Sequence, residues 1–321
     1  KKAHQSFNER TGYEFEAMGE LEYYIISRDE GLFKADDQRG YHESSPFSKW
    51  GDFRVEAMKL IAESGGMIKY GHSEVGNFTK GEFVYEQNEI EFLPTSVDDA
   101  ADQLVKAKWI VRTLAMQYGV TVTFAPKITV GKAGSGLHIH TRIMKKSKSQ
   151  MIENGVLSNT AKKAIAGYMQ LAPSLTAFAN MTPTSFFRLV PHQEAPTNIC
   201  WGDRNRSVLV RVPLGWATPT NMINEVNPQE KGGKIDFSDK QTVEFRSLDG
   251  SADIYLLLAG LTIAAREGLE MENALKIAEE TYVDINIFDE EHKDKLAQLD
   301  HLTASCVESA KLLLAHKEYY T

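Results

Sequence analysis

Residues 13–26 read YEFEAMGELEYYII. The run is aromatic and β-branched and alternates in part, which is the pattern of a strand. Within it, Glu20-Leu21-Glu22 sets two carboxylates on either side of an apolar residue. Successive side chains of a strand point to opposite faces, so Glu20 and Glu22 share one face and Leu21 takes the other. His138-Ile139-His140 and Glu244-Phe245-Arg246 repeat the design, and Val210-Arg211-Val212 repeats it with one charge. Strands of this kind make a sheet with one apolar face for helices. The other face carries carboxylates, imidazoles and guanidiniums, which is expensive unless the charges bind something.

Outward from that core, residues 52–64 and 97–118 read as helices. The second is the clearest. Val97, Ala101, Leu104, Ala107, Val111 and Leu114 form one stripe, Ser96 can cap it and Gly119 can end it. Residues 67–93, 120–130 and 136–144 are strand-like, with shorter strands near 207–212 and 242–246. Residues 159–180 are helical, with Pro173 expected to break or kink them. Residues 252–266 read as a buried helix, and 302–317 as a final amphipathic one. Strands and helices mix without strict alternation, so the expected class is α+β.

The chain has 321 residues and a net charge of -8, which argues against nucleic-acid and anionic-membrane binding. No apolar run is long enough to span a bilayer, and no signal peptide opens the chain. Two cysteines, Cys200 and Cys306, form no motif and fit a reducing cytoplasm. Any single Glu-x-Glu run is more often a solvated strand face than a site. Number weighs against that here, because the three runs are joined by Arg188, Arg204, Arg206 and Arg211 around Glu194. Oxygen-rich sets suit Mg²⁺ or Mn²⁺, and arginines suit carboxylate or phosphate oxygens. The run Gly131-Lys132-Ala133-Gly134-Ser135-Gly136 lacks a P-loop ending and leads into a strand pattern, yet its N–H groups suit an anion. A zinc hydrolase built on His138 and His140 is the rival, disfavoured by the excess of carboxylates.

Five segments in one order then resemble the catalytic domain of glutamine synthetase. They are GELEYYI (19–25), GHSEVG with EQNEIEF (71–92), FAPKITVGKAGSGLHIH (124–140), FFRLVPHQEAPTNICWGDRNRSVLVRVP (186–213) and TVEFRSLDGSADIYLLLAGLTIAA (242–265). The resemblance implies a curved antiparallel sheet with a metal-binding face, helices on the other face, and one domain over 1–321. It implies ATP-dependent ligation of ammonia to the glutamate side chain through γ-glutamyl phosphate, with two or three Mg²⁺ or Mn²⁺. Glu22, Glu74 and Glu89 match the ligands of the first metal, and Glu20, His138 and Glu244 those of the second. His140 matches a residue near the ATP phosphates. Arg188 and Arg246 match residues that bind glutamate, with Gly134 in the substrate loop. Arg206 and Arg211 match arginines at the γ-phosphoryl, and Glu194 the flap glutamate that binds ammonium. Glutamate and ammonium are the implied substrates, in a cytoplasmic double-ring homo-oligomer.

The match departs on the nucleotide side at Pro94, Arg142 and Thr242, where the family has an aromatic residue, a serine and an arginine. Arg142 is expected to bind ATP phosphate in place of the family arginine that Thr242 replaces. The segment between Glu74 and Glu89 is longer than usual. Glu82 keeps the usual spacing, but the motif around Gln87-Asn88-Glu89 favours Glu89. Nothing resembles the family's small N-terminal β-grasp domain. Two alternatives therefore stay open: a γ-glutamyl ligase acting on an amine, and a non-catalytic homologue.

Overall fold

A single long strand organises the sheet. In the computed structural model, which describes residues 1–32, 36–190, 195–214, 226, 227, 229, 238–284 and 297–320, that strand is β1 (Glu14–Arg28). Its first half pairs antiparallel with β4 (Leu137–Lys145), and its second half with β3 (Phe83–Phe92). β2 (Ile68–Lys80) closes one side by pairing with β3. On the other side, β7 (Val243–Phe245) pairs with β4, β6 (Val210–Val212) pairs with β7, and β5 (Trp201–Asp203) lies parallel to β6. The order among the described residues is β5-β6-β7-β4-β1-β3-β2, antiparallel but for the β5–β6 pair.

Helices lie on the apolar side: α2 (Gly51–Glu63), α3 (Val97–Gln117) and α4 (Asn159–Ala179) against the strands, with α5 (Ile254–Glu270), α6 (Ala274–Glu280) and α7 (Cys306–Ala315) packed on α4. Leu21, Tyr23 and Ile25 of β1, Ile90 of β3, Ile139 of β4 and Phe245 of β7 join Leu104, Val111, Leu175 and Leu261 of the helices in one core. The Ser96 hydroxyl caps α3 by accepting from the Asp99 N–H at 3.3 Å, and Gly119 follows the helix at φ 64°. The α+β architecture is thus as the sequence predicts.

Three local features differ from, or go beyond, what the sequence suggests. Lys2–Thr11 is a helix, α1, that no sequence pattern announces, since it buries only Phe7 and has no apolar stripe. Only Thr121–Thr123 of the 120–130 run is strand. Pro126 has no N–H for a ladder, and its carbonyl instead accepts from Ser135 N at 3.0 Å, folding this stretch beside the Gly-rich run. α4 runs through Pro173 unbroken, with Leu171, Ala172, Ser174, Leu175 and Thr176 all buried. Burial of that face outweighs the roughly 3 kcal/mol that an interior proline costs.

α2 starts without a side-chain cap from its own N-cap residue. Buried Glu86 of β3 supplies one from across the sheet, accepting from Ser48 Oγ at 2.8 Å, Lys49 N at 2.9 Å and Trp50 N at 3.1 Å. The carboxylate also meets the positive end of the helix dipole. Glu86→Ala is expected to lower unfolding free energy by about 2 kcal/mol in urea titration, because these donors are left without their acceptor.

Candidate active site

Strand register gathers the polar residues into one band. Glu20 pairs with Glu91 on one side and His138 on the other, Glu22 with Glu89, and Glu89 with His72. Glu244 pairs with His140 and Arg211. All these side chains line one cavity of about 920 Å³. Glu74, Gly134, Arg188, Arg206 and Arg246 line it too, as do Lys69, Tyr70, Tyr41, Gln87 and Arg204.

The floor is a chain of acid and imidazole. Glu20 meets His138 Nδ1 at 2.9 Å and His140 Nε2 at 2.8 Å. His138 also lies 3.6 Å from Glu244 and 3.9 Å from Glu22. Glu244 is fully buried, held by the guanidinium of Arg211 and by Arg246 Nε at 3.2 Å. Arg188 rises from the helical turn Ser185–Arg188 and donates to the Ser247 carbonyl at 2.9 Å. Gly136 has no room for a side chain, since a Cβ there would lie 2.6 Å from Arg188 Nη2 and 2.9 Å from His138 Nε2. Three groups of ligand atoms lie within 4.8 Å of one another: Glu20, His138 and Glu244; His72, Glu74 and Glu89; and Glu20, Glu89 and Glu91.

The electrostatics are those of an anionic pocket. Burial pushes the Glu89 carboxyl well above the carboxylate range, and Glu20, Glu22, Glu74 and Glu91 push it further. Burial also acts to raise Glu20, but the charges and hydrogen bonds of His140 and His138 outweigh it and hold Glu20 well below that range. Burial disfavours charge on His140 and His72, yet Glu20 raises the first, and Glu91 with the Ser73 carbonyl raises the second. The signs give a pH dependence for metal-free protein. The two raised histidines contribute stability that is complete below 6.5 and lost as pH climbs through their folded values. Glu89 acts in the same direction, since its folded state retains a proton that the unfolded chain releases near 4.5. Glu20 contributes stability above 4.5 that is lost in acid. Melting temperature in EDTA is therefore expected to fall as pH rises above 6.5, and saturating Mn²⁺ to remove that slope.

Most expected site residues meet here. Glu89 lies in the cavity, while Glu82 is 63% exposed and pairs with Arg28, so the longer segment is an extended β2–β3 hairpin. Arg142 does not line the cavity. Glu16 holds its guanidinium at 2.6 Å and the Asp239 carbonyl accepts from Nη1 at 2.6 Å. Thr242 meets His140 Nδ1 at 2.9 Å, fixing that ring from the side opposite Glu20. Glu194 lies outside the described residues. His72, Gln87 and Glu91 are site residues beyond those expected from sequence. The two-residue spacing of His72 with Glu74, and of Gln87, Glu89 and Glu91, is the signal that finds them.

A largely antiparallel sheet that gathers acids, imidazoles and arginines in one cavity carries groups whose chemistry suits cations and anionic oxygens. The model of the glutamine synthetase catalytic domain matches residues 1–320, and the chain belongs to the glutamine synthetase family. It is 31% identical over 308 residues to the glutamine synthetase of Pyrococcus furiosus, covering 95% of this chain and 62% of that protein. With the glutamine synthetase of Mycobacterium tuberculosis it shares 35% identity over 241 residues, covering 74% of this chain and 45% of the relative. The chain thus spans about half the length of the curated relatives it matches. A cryo-EM structure of Plasmodium falciparum glutamine synthetase is similar in fold, with a TM-score of 0.75 at 20% identity, covering 100% of this chain and 70% of that one. GmaS without ligand gives 0.75 at 21% identity, covering 99% and 67%.

Proposed function

We propose that this chain is the catalytic domain of an ATP-dependent ligase that joins ammonia to the side chain of glutamate, giving glutamine. The observation that carries the reading is the gathering of two opposite charge sets in one cavity, six glutamates with three histidines and five arginines. The acid set fits divalent cations: Glu89 is buried against four other carboxylates, an arrangement that a cation relieves. Glu22, Glu74 and Glu89 would hold one Mg²⁺ or Mn²⁺, and Glu20, His138 and Glu244 a second. Bound there, the metals supply charge neutralisation for the phosphoryl oxygens of ATP.

The chain's own groups carry the rest. Arg188 and Arg246 bind the carboxylates of glutamate, and the Gly134 loop sets the depth of its side chain. The γ-carboxylate attacks the γ-phosphorus of ATP, and ADP leaves, giving γ-glutamyl phosphate. Arg206 and Arg211 spread the charge of the transferring phosphoryl group. Ammonia then displaces phosphate, with Glu194 helping to bind the incoming ammonium. Whole-protein features such as a homo-oligomer with shared sites, and residence in the cytoplasm, belong to this reading. The test is phosphate release from ATP by full-length protein with glutamate and Mg²⁺, with ammonium or small primary amines. Release that needs glutamate and ammonium is expected. Release only with an amine shifts the acceptor, and none with either refutes the ligase.

A further inference from the structure

We propose that Gln87 is a positioning residue whose single amide ties the metal-side carboxylate Glu22 to the substrate-side loop at Gly134. This rests on the proposed ligase function and assigns a role that the ligase mechanism does not use.

Gln87 lies on β3 opposite Tyr24 of β1 and is 1% exposed. Its Nε2 donates to Glu22 Oε2 at 2.9 Å and to the Gly134 carbonyl at 2.9 Å. Its Oε1 accepts from Gly76 N at 2.9 Å. The neighbours fix the orientation of the amide, because an N–H faces the oxygen and two acceptors face the nitrogen. Gly76 is forced by this contact, since a Cβ there would lie 2.4 Å from Gln87 Oε1 and 1.9 Å from the Tyr24 hydroxyl oxygen.

The partners divide cleanly. Glu22 Oε2 accepts from Gln87 and from Gly136 N at 2.7 Å, which turns that oxygen to the loop. Oε1 is the oxygen nearer His138, at 3.9 Å. The donor is neutral, so it orients the carboxylate without cancelling the charge that a cation needs. A lysine here would cancel it, and a glutamate would repel it. At the loop, Gln87 acts beside Tyr24, whose hydroxyl donates to the Ala133 carbonyl at 2.9 Å. Tyr24 thus tethers the loop, whereas Gln87 tethers the loop and the carboxylate together.

The experiment uses full-length protein and reads Mn²⁺ affinity by titration calorimetry, KM for glutamate, and melting temperature. Gln87→Met keeps the side-chain volume and removes the hydrogen bonds. It is expected to weaken one Mn²⁺ site about tenfold and to raise the glutamate KM about tenfold. Tyr24→Phe is expected to raise the glutamate KM and leave Mn²⁺ affinity unchanged. Gln87→Asn keeps the amide but shortens its reach, and is expected to weaken both affinities even if the methionine variant does not fold. Both affinities retained in a folded Gln87 variant, or Mn²⁺ weakened with glutamate untouched, overturns the proposal. Wild-type protein that binds neither Mn²⁺ nor glutamate overturns the ligase function and this role with it, whereas normal wild-type binding with unaltered variants overturns only the role of Gln87.

Discussion

Glu89→Gln is expected to raise the melting temperature of metal-free protein at pH 8 and to abolish most of the rise that Mn²⁺ gives wild type. Two opposite effects follow from one carboxylate. Without metal, Glu89 is a buried carboxyl among Glu20, Glu22, Glu74 and Glu91, and the cost of ionising it there opposes folding. An amide of the same shape removes that repulsion. With metal, the same carboxylate is a ligand in the proposed site, and it stands in two of the three ligand groups. A site filled at one hundred times its Kd adds about 2.7 kcal/mol to stability, on the order of 5 °C for a domain of this size. Differential scanning fluorimetry with EDTA and with Mn²⁺ reads both signs. A variant that is less stable without metal contradicts the repulsion, and one that keeps the full Mn²⁺ response shows that Glu89 is not a ligand.

Arg206→Gln is expected to lower the rate of glutamate-dependent phosphate release by about 10²–10³ with no change in melting temperature. Arg206 is an exposed residue of the cavity wall whose backbone carbonyl, not its guanidinium, accepts from Arg246. Its side chain is exposed and in none of the ion pairs among the described residues, so its removal is expected to cost the fold little. Arg211 differs, because its guanidinium holds fully buried Glu244, and its removal affects stability as well as chemistry. Rate and stability measured together on Arg206→Gln separate a phosphoryl contact from a structural role.

The central strands are legible in the sequence because their chemistry follows a two-residue period. Glu20 and Glu22, His138 and His140, and Glu244 and Arg246 share one face of the sheet for that reason, and the register then brings them within a few ångströms. His72 with Glu74, and Glu89 with Glu91, follow the same period, and the structure sets all four in the cavity. Helix α1 is hidden because its only buried residue is Phe7, and one apolar side chain makes no stripe. Arg142 shows a different limit. A strand position two residues beyond His140 puts it on the right face, but Glu16 on the neighbouring strand is directly opposite and captures it. Pairing across strands decides where such a charge points, and a single sequence does not show which residue lies opposite.

Anomalous scattering from crystals of full-length protein grown with Mn²⁺ tests the central claim most directly. Mn²⁺ is expected at two places on the cavity floor, one among Glu22, Glu74 and Glu89 and one among Glu20, His138 and Glu244. Mn²⁺ absent from the cavity at saturating concentration, or bound only on the outer surface, contradicts the reading of this sheet face as the metal floor of a ligase.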